Sequence, residues 1–201
     1  MISSETSKHF SLFILIIALI AFIAMTVKVI GIVDKTQVAT SEGIYTSYIS
    51  SDEEIQQKSH ELTKNCQSKL CQVQSLLDFA TNIPYKTNTF QQKSAQKTIQ
   101  ENFGDCDDKS NLLISMLHTL GIEAYFVLVP KHIFVIVPLE DKRMSKRKGL
   151  WLNDKKYYIL ESTAKNSRVG YPLRYKLNEI DVIIEPFANE KIDIKSLAYK
   201  L

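Results

Sequence analysis

A chain of 201 residues has room for one ordinary domain and a short appendage. Its hydrophobic share of 45% and charged share of 23% are those of a folded domain and exclude a disordered one. A net charge of +3 is too small to imply a nucleic-acid partner without a concentrated basic face. There is no internal repeat and no zinc-type pairing of cysteines with histidines.

The first element is apolar. Residues 10–27 carry no charge, and a stretch of that length reaches the lower limit for a helix that spans a bilayer. It lacks the polar face of a buried core helix, and Ala24-Met25-Thr26 fits a signal-peptide cleavage site poorly. The expectation is an uncleaved membrane anchor over residues 1–33. Lys8 is opposed by Glu5 on one side, and Lys28 and Lys35 by Asp34 on the other, so the positive-inside rule nearly ties. A bulky domain behind a single N-terminal anchor more often lies outside the cytoplasm, which favours a periplasmic or extracellular location.

Residues 34–51 are rich in Thr and Ser without a periodic apolar face and read as a linker. The remaining domain, residues 52–201, opens with Ser51-Asp52-Glu53-Glu54, a pattern that resembles a capping box. Leu70, Val73, Leu76, Leu77 and Ala80 recur at three- and four-residue steps, predicting an amphipathic helix over 68–80 that Pro84 ends. Cys66 and Cys71 are either a disulfide in an oxidising compartment or two separate thiols. Residues 87–103 are polar and loop-like, with a short helix around 94–101. Over 107–120, Leu112, Leu113, Met116, Leu117 and Leu120 share one helix face, and Gly121 supplies the stop. Strand patterns follow at 124–129, 132–137 and 156–161, with Pro130-Lys131 as a tight connection and 142–149 as a longer turn. Lys142, Arg143, Lys146, Arg147 and Lys148 make that turn basic: a solvated tip, or a contact for anionic lipid, wall polymer or acidic substrate. Another strand is expected at 182–184. A helix followed by an antiparallel meander is α+β and not a doubly wound parallel sheet.

Three residues suit nucleophilic catalysis. Cys106 stands at the amino end of the long amphipathic helix, where unpaired amides and the positive dipole end favour a thiolate and can hold an oxyanion. Asp105, Asp107 and Asp108 oppose that thiolate, so a histidine partner is required. His132 opens one strand and Glu161 ends a later one, and neighbouring strand ends can project both side chains from the same end of a sheet. With Glu161 on one ring nitrogen, the other is open to the thiol proton.

These residues resemble the transglutaminase-like superfamily, including bacterial transglutaminase-like cysteine proteinases. The resemblance runs from about Leu76 to Thr163. It rests on Gly104-Asp105-Cys106-Asp107-Asp108-Lys109-Ser110, the following Leu-Leu helix, Leu120-Gly121-Ile122-Glu123-Ala124-Tyr125, His132 and Glu161-Ser162-Thr163. It implies a papain-like α+β core, a Cys106-His132-Glu161 triad, and chemistry on peptide or isopeptide amides by hydrolysis or acyl transfer, with a protein or peptide as substrate. Glu161 replaces the usual Asp, and the Cys-to-His interval is short. Gln100 and Asn102 are candidates for a side-chain oxyanion donor. No cofactor is expected; Asp105, Asp107 and Asp108 could supply oxygens to calcium, although a helix cap explains them equally. The alternative is an inactive interaction module in an envelope assembly.

Overall fold

The computed structural model describes residues 9, 12–23, 37–40, 43–87 and 92–201. The chain divides into two units, Met1–Lys35 and Thr36–Leu201. In the first, residues 12–23 are helical, and their apolar side chains, among them Leu12, Phe13, Leu15 and Phe22, are exposed. The apolar stretch expected to span a membrane lies partly outside the described residues. Among the described residues no helix is long and apolar enough to cross one.

The second unit sets four helices against one face of an antiparallel sheet. Helix α1 is Glu53–Thr63, α2 Lys69–Asn82, α3 Ala95–Glu101 and α4 Cys106–Thr119. Each starts where a side-chain acceptor meets an otherwise unpaired amide, and each cap costs about 1 kcal/mol to remove. Asp52 accepts from Ile55, Ser68 from Cys71, Ser94 from Lys97 and Asp105 from Asp108. The first of these corrects the sequence expectation. Asp52, not Ser51, caps α1, and the Ser50 hydroxyl donates to its second oxygen at 2.9 Å. Cys66 and Cys71 are joined in a disulfide, with Cys66 in the turn before α2 and Cys71 in its first turn.

The strands are β1 (Gln37–Thr40), β2 (Gly43–Thr46), β3 (Tyr125–Val129), β4 (His132–Val137), β5 (Gly149–Leu152), β6 (Lys155–Leu160), β7 (Val182–Glu185), β8 (Glu190–Lys191) and β9 (Leu197–Lys200). β1 and β2 pair as a hairpin, so the latter part of the expected linker is structured. Within it, Tyr45 of β2 is buried, its hydroxyl donating to Asn111 on α4 at 3.3 Å. The other seven form one sheet in the order β8-β7-β3-β4-β6-β5-β9, with every pairing antiparallel. The fold is therefore α+β, as the sequence pattern indicated.

The sheet is apolar on both faces. Phe126, Ile133, Val135, Tyr158 and Leu160 face the helices with Leu76, Leu77, Leu113 and Leu117. Val127, Phe134, Ile136, Leu150 and Ile159 face the other way and are covered by Tyr171, Leu173 and Tyr175 from the segment after β6. Pro130 and Lys131 form the two-residue turn between β3 and β4, with Lys131 at φ 58° and Val129 opposite His132. The turn expected at 142–149 is present, opening with a short 3-10 helix at Lys142–Met144 and ending where β5 begins at Gly149.

Candidate active site

The start of α4 is anchored before any chemistry is considered. Gly104 forms a parallel bridge with Tyr85: its amide donates to Pro84 at 3.1 Å, and its carbonyl accepts from Lys86 at 3.1 Å. A Cβ at Gly104 would lie 2.8 Å from the Asp108 Cβ, so a larger residue could not approach this closely. Asp105 and Asp108 close a reciprocal capping box, and Asp108 also accepts from the Lys93 amide at 2.7 Å. Lys109, one helical turn after Cys106, is 1% exposed and donates to the carbonyls of Ile83 (2.8 Å) and Thr81 (3.4 Å). It thereby satisfies the carboxyl end of α2 and ties it to the head of α4. Burial lowers its pKa to about 8, against the pull of the Glu161 charge.

The sheet supplies the imidazole. His132 Nε2 lies 2.8 Å from Glu161 Oε2. Glu161 Oε1 accepts from the Thr163 hydroxyl at 2.6 Å and from the Thr163 amide at 3.1 Å. Every oxygen of this nearly buried carboxylate thus has a partner. Burial would raise the Glu161 pKa, but the bonds from His132 and Thr163 outweigh it and hold the group below the ordinary glutamate range. Ser162 turns to the other side of the chain, its hydroxyl 3.1 Å from that of Ser110 on α4. The Glu-Ser-Thr run accordingly fixes the acid with its third residue and the helix with its second. Tyr175 covers the imidazole, its ring stacked at 18° with centroids 6.0 Å apart.

The helix that carries the sulfur packs against the strand that carries the imidazole. β6 ends at Leu160, opposite Val135, so β4 has no β6 partner in the register at His132 and Ile133. The backbone amide of Ile133 is near enough to favour the thiolate of Cys106. Cys106 is the free cysteine, half-buried beside the residue that follows His132. His132 also lies close enough to Asp107 for its charge to favour that carboxylate.

The thiol is held protonated. Burial pushes its pKa up to about 12, the charges of Asp107 and Asp105 add to this, and only the Ile133 amide works in the other direction. Its proton points to Asp107 Oδ1 at 3.5 Å. Asp107 is itself raised by burial, although the Gln92 amide donates to its other oxygen at 2.8 Å. A helix N-terminus favours a thiolate by a modest, short-range amount; here desolvation and two carboxylates outweigh it.

Other expected participants stand elsewhere. Gln100 is exposed and bonds Glu54 at 3.1 Å, while Asn102 ends α3 in the left-handed conformation at φ 52°. Neither is placed as an oxyanion donor. The aspartates spend their oxygens on the capping box, Lys93, Gln92 and the thiol. Among the described residues no group of three acidic, histidine or cysteine side chains is placed to hold a metal ion. Gln92 and Tyr175 had no sequence signal that would have placed them here.

The family model of the transglutaminase-like superfamily matches residues 56–135. That span contains Cys106 and His132 and stops short of Glu161. The resemblance carried by the Gly-Asp-Cys motif and the histidine strand therefore holds. No curated protein matches the sequence. The solved structures that resemble this one include a candidate cysteine protease from Cytophaga hutchinsonii, at 17% identity and a TM-score of 0.49, covering 77% of this chain and 53% of that one. A second is a candidate protease from Parabacteroides distasonis, at 15% identity and a TM-score of 0.44, covering 70% of this chain and 27% of that one. The chain thus spans about half the length of the first structure and about a quarter of the second.

Proposed function

From the premise that residues 56–135 carry a transglutaminase-like core, we propose that this protein is a thiol enzyme acting on peptide or isopeptide amide bonds through Cys106, His132 and Glu161. The observation that carries the reading is the His132 imidazole paired with Glu161 at 2.8 Å, on the strand against which the helix headed by the free Cys106 packs. Because Nε2 faces Glu161, Nδ1 is the nitrogen that takes the thiol proton. With a thiol pKa of about 12, the resting sulfur is a neutral thiol, and deprotonation accompanies attack.

In the first step Cys106 Sγ bonds to the carbonyl carbon as its proton passes to His132. The carbonyl oxygen takes the electron pair and is held by backbone amides at the start of α4. The capping box occupies the amides of Asp105 and Asp108, which leaves those of Cys106 and Asp107 for this task. His132 then protonates the departing nitrogen, the C–N bond breaks, and a thioester remains. Water or an amine attacks the thioester, giving its proton to His132, and Cys106 recovers a proton as it leaves. Glu161 orients the ring and stabilises the imidazolium in both halves.

The test is covalent labelling by a peptide bearing an acyl-mimicking electrophile, read by intact mass. We expect stoichiometric labelling of wild type and none of Cys106→Ala at an unchanged melting temperature. Equal labelling of both, or none of either, would overturn the reading and leave an interaction module in an envelope assembly. We further propose that residues 10–27 tether the domain to a membrane, with the domain periplasmic or extracellular. Extraction of the full chain by alkaline carbonate without detergent would count against the tether.

A further inference from the structure

We propose that the basic face formed by the turn at 142–148, with Lys156 on β6 and Lys200 on β9, is a docking surface for an anionic lipid bilayer. The inference is independent of the thiol chemistry. It uses the membrane tether proposed above only as the reason that a bilayer is close at hand.

The turn is a built surface and not a free tip. Met144 is buried, and its carbonyl accepts from the Tyr158 hydroxyl at 2.8 Å. Arg143 Nη2 donates to Asp141 at 2.6 Å and to the Ser68 hydroxyl at the head of α2 at 2.9 Å. Strand register brings two more lysines to it. Trp151 stands opposite Lys156 and Gly149 opposite Lys200, so all four share one face of the sheet. A Cβ at Gly149 would lie 2.9 Å from the Lys156 stem. The glycine thus leaves room for that side chain to reach the Arg147 carbonyl, to which its ammonium donates at 2.8 Å. The Lys156 and Lys200 ammonium groups lie 5.9 and 5.2 Å from the Trp151 ring centroid, and that of Lys148 lies 6.0 Å from the Tyr199 centroid.

Charge and shape then select the partner. Lys142, Lys146, Arg147, Lys148 and Lys200 are exposed, and among the described residues neither they nor Lys156 form an ion pair. The negative groups beside them are Asp141, which is paired with Arg143, the exposed Glu140, and the terminal carboxylate after Lys200. Asp154 and Asp193 stand at the other end of β5, around the turn at Asn153. The cations therefore outnumber the anions on this face. None of them lines the cavity beside His132 or the one beside His118, whereas an extended peptide is held in a groove with pockets. A nucleic-acid base stacks on a bare aromatic ring, and Trp151 is half-buried with two lysines over it. A lipid surface asks for neither groove nor stacking. It asks for several cations on one face, with interfacial aromatics among them, and a tether through residues 10–27 keeps that face near such a surface.

The test reads the fluorescence of Trp151, the one tryptophan of the chain. The full chain is reconstituted into vesicles of phosphatidylcholine alone, or of phosphatidylcholine and phosphatidylglycerol at three to one, each with a headgroup-nitroxide lipid as quencher. We expect at least twofold stronger quenching in the anionic vesicles. It should return to the neutral level in about 1 M NaCl, where screening is nearly complete, and in the double variant Lys146→Glu with Lys148→Glu. Equal quenching in the two vesicles, or an excess that survives salt or the double variant, would overturn the proposal. So would poly-L-glutamate shifting Trp151 emission in neutral vesicles as far as phosphatidylglycerol does, since the partner would then be an acidic polypeptide. Flotation with the neutral vesicles reads the tether by itself. Its failure there would leave the difference between the two lipid mixtures as the measure of this face.

Discussion

The two arms of the site are built on opposite terms. On the sheet, Glu161 has partners for both oxygens, its pKa is lowered, and the imidazole it holds is covered by Tyr175. On the helix, Cys106 is raised to about 12 by burial and two aspartates, and its proton is directed at a carboxylate. One arm is organised in its working charge state, and the other is organised against it. A neutral thiol survives exposure to oxidants and stray electrophiles better than a thiolate does. It becomes nucleophilic only when a base removes its proton, so the sheet arm carries the activation.

The sharpest way to break this contrast is to disable the organised arm. Glu161→Gln keeps the size but removes the charge and presents a donor where an acceptor is needed. Turnover should fall on the order of 10²- to 10⁴-fold while labelling still occurs slowly. Glu161→Ala should in addition cost about 1–3 kcal/mol in denaturant unfolding, because the Thr163 and His132 groups lose a buried acceptor. A fall in stability with no fall in turnover would show that the pair is structural.

The opposing arm gives the next effect. Asp107→Asn removes the nearer of the two charges that raise the thiol. Alkylation of Cys106 by iodoacetamide at pH 8 should speed up by about three- to tenfold. A slower rate would mean that Asp107 assists the thiol and does not restrain it.

The smallest effect concerns the lysine between the arms. The Lys109 pKa is lowered to about 8 from 10.5, so between these values the folded chain has released a proton that the unfolded chain keeps. Stability contributed by this group must then rise with pH across about 8 to 10.5 and be absent below. Lys109→Met should flatten that rise in urea titrations, and an identical slope in both proteins would contradict the buried placement.

Much of the site was legible because its local signals agree. An acid-rich cap before an apolar 3.6-residue period fixes the head of α4. The alternating runs around Pro130-Lys131 fix the hairpin that places His132 at a strand end. What was not legible depends on long-range register. β5 and β9 are four residues each, with no turn signature between β5 and its distant partner, so neither strand stood out. Gln92 reaches Asp107 across fourteen intervening residues with no helical or strand period to link them. The basic turn and the disulfide were visible as residue types, but the pairing of Arg143 with Asp141 and of the two cysteines with each other emerges only in the folded chain.

The most direct measurement is the rate of Cys106 alkylation by iodoacetamide as a function of pH, in wild type and in His132→Gln. If His132 takes the thiol proton, wild type reacts at neutral pH at least ~10²-fold faster than the variant, whose rate climbs about tenfold per pH unit as a thiol near 12 must. Superimposed profiles would contradict the account, since the sulfur would then be indifferent to the imidazole.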